Sequence, residues 1–347
     1  MKKLSLLNWI VAVLFLFFIA SCNKSLEFNP SSNSNVPADL QPIGGATTAS
    51  TLLSQDVWVV ASLTPGGKQR ISAVSFTIGE NAYVGTGFTA FGIASKDFWK
   101  YNPSTNVWTQ IADFGGEART DATGFGIDEK GYVGTGRGTG GGLKDFWEYN
   151  SLTNGWNQKK DFGGGIRIAA ASLAIGKKGY VGLGFVNATN KDFWEYDPSV
   201  DQWTRKADFR GSGRLNAVSF VLIDSKNREL GYLGGGDIGT FGQNYADFWQ
   251  YFPVSDIWRQ RADLPENFAQ SGSFTIGSKG YVVGNGKLWM FDPLTSQAGS
   301  WVQKANFAGV MDDGFGFSLN GHGYIGGGNY RNGNAFEFTT FYKYFPN

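Results

Sequence analysis

The sequence predicts an all-β protein whose repeated strands form the blades of a propeller. Eleven of the twelve tryptophans fall at two positions of one repeat, and the remaining one, Trp9, precedes the repeats. The first set is Trp99, Trp147, Trp194, Trp249 and Trp289, and the second is Trp58, Trp108, Trp156, Trp203, Trp258 and Trp301. Successive members of the second set are 50, 48, 47, 55 and 43 residues apart. A period in the forties with several strands per unit is typical of a propeller, and no sustained helical period interrupts it.

Each repeat contains four predicted strands, which we name a to d in chain order. In the second unit the alternating run Thr120–Ile127 predicts strand a, and Tyr132–Gly136 predicts strand b after a polar turn. Asp145–Asn150 predicts strand c, and strand d begins at Trp156. Alternating aromatic and β-branched residues bounded by Gly and Asn are strand signals.

The two ends of the chain are predicted to complete one blade together. The b-strand tyrosine recurs six times, at Tyr83, Tyr132, Tyr180, Tyr232, Tyr281 and Tyr324. The repeats nevertheless begin with a d strand, at Trp58, and end with a c strand, at Phe341–Tyr344. Pairing Asp56–Ser62 with Phe338–Phe345 therefore closes a ring of six blades with the N-terminal strand and removes two exposed strand edges.

These motifs resemble the kelch repeat. The resemblance consists of the b-strand tyrosine, the glycines that end strand b, and the tryptophan that follows, as in Tyr132-Val133-Gly134-Thr135-Gly136 and then Trp156. It extends over residues 51–347, although the paired glycines common in kelch repeats are here interrupted, as in Gly-Thr-Gly. Kelch proteins form β-propellers of four-stranded blades, so the resemblance implies a six-bladed kelch-type propeller.

The N-terminal segment is similar to a bacterial lipoprotein signal peptide. A basic Met1-Lys2-Lys3 and an apolar stretch over Leu6–Ala20 lead to Cys22, the only cysteine. We predict a signal peptide at 1–21, a lipid on Cys22, a flexible Ser-, Asn- and Pro-rich tether over 22–50, and the propeller over 51–347. An ordinary cleaved signal peptide is the alternative.

This segment also predicts a location. A lipidated Cys22 would place the protein in the bacterial cell envelope, anchored to a membrane. Asn23 is not the aspartate that favours retention in the inner membrane of some bacteria, so the expectation is the outer membrane. Whether the propeller faces the periplasm or the cell surface stays open.

Composition and charge exclude several classes of function. The formal net charge of +1 favours neither DNA nor RNA as a partner. With one histidine, His322, and one cysteine, the common zinc and copper sites and the Ser-His and Cys-His nucleophile pairs are excluded, and we expect no cofactor. The kelch domain also occurs in galactose oxidase, but this chain lacks the histidines and the Tyr–Cys crosslink of that copper chemistry.

A ring of arginines is the strongest candidate for a binding site. The residue 13 positions before the b-strand tyrosine is Arg70, Arg119 or Arg167 in three units, with Arg214 equivalent in the fourth and Phe268 and Met311 in the last two. We predict an anion-favouring mouth with an apolar wall at Phe268 and Met311, partly neutralised by Asp121 and Asp313. Internal ion pairing of these arginines is the alternative. The repeated Asp97, Asp145, Asp192 and Asp247 are predicted to have a structural role.

Three functions are compatible with these sequence features. The first is a membrane-anchored binding module for a glycan or a protein, using the arginine face and the variable b–c loops, several of which carry aromatic residues. The second is a structural or interaction protein of the envelope without a small-molecule ligand. The third is an enzyme of the sugar mutarotase or epimerase kind, since kelch-like bacterial propellers include sialic-acid mutarotases. We rank binding first, and enzymatic activity stays uncertain.

Overall fold

The computed structural model describes residues 56–89, 93–239, 243–267, 272–307, 310–332, 335–336 and 339–346. Within these ranges the protein is an all-β propeller of six four-stranded antiparallel blades, which confirms the predicted fold class. A single 3-10 turn, Pro65–Gly67, is the one helical element described. None of the described helical structure is long and apolar enough to cross a membrane. Cys22 and Phe268 lie outside the described residues.

The strands follow the predicted order a, b, c, d within each blade. β1 (Val57–Leu63) belongs to blade 6. Blade 1 contains β2 (Val74–Ile78), β3 (Asn81–Gly85), β4 (Phe98–Asn102) and β5 (Val107–Ile111). Blade 2 contains β6 (Thr123–Ile127), β7 (Lys130–Gly134), β10 (Phe146–Asn150) and β11 (Gly155–Lys159), with the ribbon β8 (Arg137–Gly138) and β9 (Gly141–Gly142) in its b–c loop. Blade 3 contains β12 (Ala171–Ile175), β13 (Lys178–Gly182), β16 (Phe193–Asp197) and β17 (Gln202–Lys206), with the ribbon β14 (Phe185–Val186) and β15 (Ala188–Thr189).

The remaining three blades repeat this plan. Blade 4 contains β18 (Val218–Ile223), β19 (Glu229–Gly234), β20 (Phe248–Phe252) and β21 (Ile257–Gln260). Blade 5 contains β22 (Gly272–Ile276), β23 (Lys279–Gly284), β24 (Lys287–Asp292) and β25 (Ser300–Gln303). Blade 6 contains β26 (Val310–Leu319), β27 (His322–Asn332), β29 (Thr340–Phe345) and β1, with β28 (Ala335–Phe336) paired to the end of β27.

The six a strands surround the central axis. β2, β6, β12, β18, β22 and β26 neighbour one another in cyclic order. The b–c and d–a connections emerge on one side, which we call the loop face, and the a–b and c–d turns emerge on the other, which we call the turn face. Strand a of blade 2 begins at Thr123 rather than at the predicted Thr120, because Asp121 adopts a left-handed conformation with φ of 56° and kinks the chain.

Aromatic side chains fill the wedges between blades. Six buried apolar clusters each combine residues of two neighbouring blades. Between blades 1 and 2, for example, Phe98 packs against Trp156 with ring centroids 5.1 Å apart. A Cβ on Gly179 of blade 3 would overlap the Phe125 ring of blade 2, so this close approach of backbone to ring requires glycine. The burial of these rings supplies the main stabilisation of the ring of blades.

The N-terminal strand closes the ring as predicted. β1 pairs antiparallel with β29, from Val57 opposite Phe345 to Leu63 opposite Thr340. Trp58 packs into the wedge beside blade 5, 5.1 Å from the Phe307 ring. The Tyr344 hydroxyl donates a 2.7 Å hydrogen bond to Asp56, which joins the two ends of the chain.

Candidate functional site

The four repeated arginines lie where each chain segment passes from the outermost strand of one blade to the innermost strand of the next. Arg70, Arg119 and Arg214 are 0% exposed and Arg167 is 2% exposed. Their backbone carbonyls also join blades, since the Gly87 amide of blade 1 donates to the Arg119 carbonyl at 2.8 Å. These residues are therefore internal to the propeller, between the axis and the wedges.

Arg119 shows how each guanidinium is held. Its two terminal nitrogens donate to the two carboxylate oxygens of Asp145, both at 2.7 Å. Further hydrogen bonds reach the carbonyls of Thr135 at 2.9 Å and Glu117 at 3.1 Å, and the guanidinium lies 4.7 Å from the centre of the Phe114 ring. Equivalent ion pairs join Arg70 to Asp97, Arg167 to Asp192 and Arg214 to Asp247.

The aspartate of each pair is also bound by a tryptophan of its own strand. The Trp147 indole nitrogen donates to Asp145 at 2.7 Å, and Trp99 donates to Asp97 at 2.8 Å. Burial raises the pKa of the Asp97 carboxyl, but the hydrogen bonds and charge of Arg70 outweigh it and lower the pKa to about 2. The same opposing effects lower the pKa of Asp145. We call each such set an Arg–Asp–Trp group.

This geometry corrects the expectation of a mouth lined by guanidinium groups. The terminal nitrogens of all four guanidinium groups donate to carboxylates and carbonyls, and the one donor without a partner among the described residues, Nε of Arg70, is buried. No guanidinium is therefore presented to a ligand. The partner carboxylates are the strand c aspartates rather than Asp121 and Asp313, because strand c begins beside the end of strand b, where the arginine side chain lies. Pairing is needed here since an unpaired buried charge is strongly destabilising. The structure thus supports the alternative of internal ion pairing.

The predicted apolar wall stays a prediction. Phe268 lies outside the described residues. Met311 lies in β26, where only its backbone is described.

A pattern in the sequence points to these ion pairs, although the prediction of an arginine mouth did not use it. The four units that carry the arginine also carry the strand c aspartate. The fifth unit has Phe268 and Lys287 at the two positions, and the sixth has Met311 and Thr340. Without an aspartate, the buried Trp289 indole nitrogen has no hydrogen-bond partner among the described residues. The two residues are present together in four units and absent together in two, which indicates that they are partners.

A ring of backbone hydrogen bonds surrounds the axis at the residues that lie two positions after the arginines and their equivalents in the sequence. Its members all have positive φ, from 51° to 59°, and are Ser72, Asp121, Ala169, Asn216 and Asp313. The amides of four members donate to the carbonyl of the equivalent residue in the preceding blade, at 2.9 Å for Ser72 to Asp313, 3.1 Å for Asp121 to Ser72, 3.0 Å for Ala169 to Asp121 and 3.2 Å for Asn216 to Ala169. Gln270, the equivalent in blade 5, lies outside the described residues. We call this ring the collar.

Below the collar, small side chains form the channel wall. Serine hydroxyls of four a strands donate to carbonyls of the neighbouring blades at 2.8–3.1 Å, and these serines are Ser75, Ser172, Ser219 and Ser273. Their neighbours on the wall are mostly alanine and glycine. The wall residues line the same axial cavity as the collar.

The collar opens into a cavity of about 280 Å³ on the axis. Asp121, Asn216 and Asp313 line it, and no lysine, arginine or histidine is among the described lining residues. The Asp121 carboxylate accepts a 2.7 Å hydrogen bond from the Thr120 hydroxyl, and the Asn216 amide donates to Asp237 at 2.9 Å. The described lining of the cavity therefore combines carboxylate and amide oxygen acceptors with no basic side chain.

The described aromatic side chains in the b–c loops of the loop face include those of Phe185 and Tyr245. Tyr245 lies over the Arg214 guanidinium, 4.2 Å from it, and Phe185 is half-buried. Phe91 and Phe241 lie outside the described residues, and only the backbone of Tyr330 and Arg331 is described. In the described part of the chain, no group of three or more His, Cys, Asp or Glu side chains is placed to hold a metal ion.

Comparison with known proteins identifies the fold. The chain is similar to the solved structure of YjhT, with a TM-score of 0.64 and 17% sequence identity, over 78% of this chain and 94% of that one. In all, 644 solved chains match, so the likeness shows a widely used propeller fold and leaves the function undetermined. No protein-family model and no curated protein matches the chain. Membership of the kelch family therefore stays a prediction based on the repeat motifs.

Proposed function

We propose that the protein is a binding module of the bacterial cell envelope that holds an uncharged, hydroxyl-rich part of a glycan at the collar. A β-propeller supports binding or enzymatic functions in general. The observation that carries the finer proposal is the axial cavity, whose lining combines two aspartates and an asparagine with no basic residue among those described. Carboxylates and amides accept hydrogen bonds from sugar hydroxyls, and a buried hydrogen bond to a charged group contributes about 1.5–3 kcal/mol.

The size and chemistry of the cavity limit the kinds of ligand that it can bind. Small-molecule pockets typically measure about 300–1,000 Å³, so a cavity of about 280 Å³ suits one sugar-sized group entering along the axis. The uronic or sialic acids that a free arginine ring would favour are disfavoured here, because an anion would approach the carboxylates of Asp121 and Asp313 and the described lining residues include no basic side chain.

A sugar mutarotase or epimerase is the second candidate. Asp121 and Asp313 lie on the two sides of Ser72 in the collar and line the same cavity, and two carboxylates are a common acid–base pair for chemistry on sugars. This candidate predicts that a bound sugar changes its anomeric composition faster in the presence of the protein, which optical rotation measures.

A glycan array followed by calorimetry tests the binding proposal. The full chain with Cys22→Ser is applied to neutral and acidic glycans, and the affinity of the best ligand is then measured. We expect neutral glycans to bind, and Asp121→Asn with Asp313→Asn to weaken binding about tenfold or more. Asp113→Asn, at an exposed aspartate outside the cavity, is the matched control and should leave affinity unchanged. A preference for acidic glycans, or full affinity in the double variant, contradicts the proposal.

A further inference from the structure

The turn face carries an exposed apolar side chain in the c–d turn of each of four consecutive blades. These side chains are Leu152, Val200, Val254 and Leu294, with exposed fractions of 81%, 59%, 98% and 61%. Scattered single exposed apolar residues are normal on protein surfaces. Here the same turn carries one in each of blades 2 to 5, and strands c and d place these tips toward the periphery of one face.

The turns hold these side chains outward. Asn150, Asp197 and Asp292 each accept a 2.9 Å hydrogen bond from the amide two residues further on, which fixes the turn. At the far end of the blade 2 turn, the Tyr149 hydroxyl donates to Asn154 at 3.0 Å. A turn fixed in this way does not fold back onto the blade, so most of the apolar surface of its side chain stays exposed.

Both ends of the described chain lie on this same face. β1 is a d strand, so it begins on the turn face at Val57, and β29 is a c strand, so it ends there at Phe345. The chain therefore enters the propeller from the turn face at Asp56, 34 residues after the predicted lipid site at Cys22. The collar and its cavity open on the opposite, loop face.

We propose that the turn face is a membrane-contacting surface, and that Leu152, Val200, Val254 and Leu294 contact the lipid of the bilayer that holds the Cys22 anchor. The proposal rests on the lipid anchor that belongs to the proposed function. The occupant is a lipid surface because the anchored end of the chain leads to this face and the apolar tips stand at its rim. The contact directs the collar away from the membrane, toward a ligand.

Site-specific fluorescence on vesicles tests this orientation. The lipidated full chain is bound to vesicles of phosphatidylethanolamine and phosphatidylglycerol, with one new cysteine at Thr105 or Val254 on the turn face, or at Ile93 on the loop face, carrying an environment-sensitive dye. The lipid thioether blocks Cys22, the only natural cysteine, so the dye reports one position. Spin-labelled lipids should quench the dye at Thr105→Cys and Val254→Cys and leave the dye at Ile93→Cys unquenched.

Replacing the four apolar side chains of the c–d turns separates their contribution to membrane contact from that of the lipid anchor. With Leu152, Val200, Val254 and Leu294 all changed to serine, vesicle flotation should persist while quenching at Thr105→Cys falls to the level seen at Ile93→Cys. Changing Ile93 and Ile166, exposed on the loop face, to serine is the matched control and should leave quenching at Thr105→Cys unaltered. Equal quenching on both faces, or quenching at Thr105→Cys that survives the four serines, overturns the proposed surface.

A separate variant tests the anchor on which this surface depends. Cys22→Ser should abolish vesicle flotation of the otherwise unchanged chain. If this variant floats like the parent, the anchor is wrong, and the quenching pattern still decides which face contacts lipid.

Discussion

At the scale of single residues, the Arg–Asp–Trp group explains why arginine occupies four equivalent positions. In blade 2 one planar guanidinium satisfies both oxygens of Asp145 and two carbonyls while lying against Phe114. Lysine has a single charged nitrogen and cannot form this two-pronged contact. The arginine is thus a structural connector whose charge is matched within its own blade.

Substitution of Arg119 tests this role. Arg119→Ala removes a fully buried side chain and leaves the half-buried Asp145 without its ion-pair partner, and we expect it to lower the free energy of unfolding by about 3–5 kcal/mol in urea denaturation. Arg119→Lys should recover only part of this loss. Arg137→Ala, at an exposed arginine in the same blade, is the control and should change stability by no more than about 0.5 kcal/mol. If the Arg119→Ala protein is as stable as the parent but no longer binds ligand, Arg119 has a binding role rather than a structural one.

At the scale of strands and turns, strands c and d of blade 6 come from the two ends of the chain, yet they form the same hydrogen bond that joins strands c and d in other blades. In blades 1 to 4 the strand c tyrosine donates to an Asn or Asp that lies two residues before the strand d tryptophan, as in Tyr101 to Asn106 at 2.7 Å. In blade 6 the same bond runs from Tyr344 to Asp56, across the break between the termini. β1 therefore occupies the full place of a strand d.

Removal of this strand tests the closure. Deleting residues 51–62 strips Trp58 from its wedge and exposes the edge of β29, so we expect aggregation or a much lower melting temperature; loss of a large buried aromatic alone costs about 3–5 kcal/mol. Asp56→Ala should cost less than the deletion, about 1 kcal/mol or more, since its described losses include the hydrogen bond from Tyr344 and the ion pair with Lys304. Val60→Ala, on an exposed side chain of β1, is the control. A monomeric deletion variant with an unchanged melting temperature would contradict the closure.

At the scale of the whole molecule, the sequence predicted the fold far better than the site. The repeated tryptophans and b-strand tyrosines are needed for packing within each strand and wedge, so they recur once per blade. Their positions therefore predict the number of blades, the strand order and the closure of the ring by Trp58. The charge state of the mouth depends on side chains brought together from separate strands, and Arg119 lies 26 residues from Asp145. The collar could not be predicted from the sequence for another reason. Its members Ser72, Asp121, Ala169 and Asn216 share a backbone conformation with positive φ but not a residue type.

The lowered carboxyl pKa values predict how stability changes with pH. The folded protein holds Asp97 at a pKa of about 2, and the pKa values of Asp145 and Asp192 are also lowered. The unfolded chain, with ordinary aspartate pKa values of about 3.9, binds protons first, so this stabilisation is complete above that value and is lost as the pH falls toward about 2. Asp97 alone should account for about 2 kcal/mol of this loss.

Denaturation at a series of pH values measures this effect. Asp97→Asn should be less stable than the parent at pH 7 but lose less stability between about pH 4 and pH 2. Asp113→Asn, at an exposed aspartate, should follow the parent curve. If Asp97→Asn loses as much stability with acid as the parent, the ion pair is not the source of the acid sensitivity.

The joint absence of arginine and aspartate from blades 5 and 6 has a consequence for how such a chain can evolve. A mutation that removes one partner first creates an intermediate with a buried unpaired charge, which costs about 3–5 kcal/mol of a typical total stability of about 5–15 kcal/mol. A lineage passing through this intermediate would need stability in reserve or a nearly simultaneous second change. A blade is therefore stable over evolutionary time with both partners or with neither. Blades 5 and 6, with Phe268 and Lys287 or Met311 and Thr340 at these positions, either passed through the destabilised intermediate once each or never gained the pair.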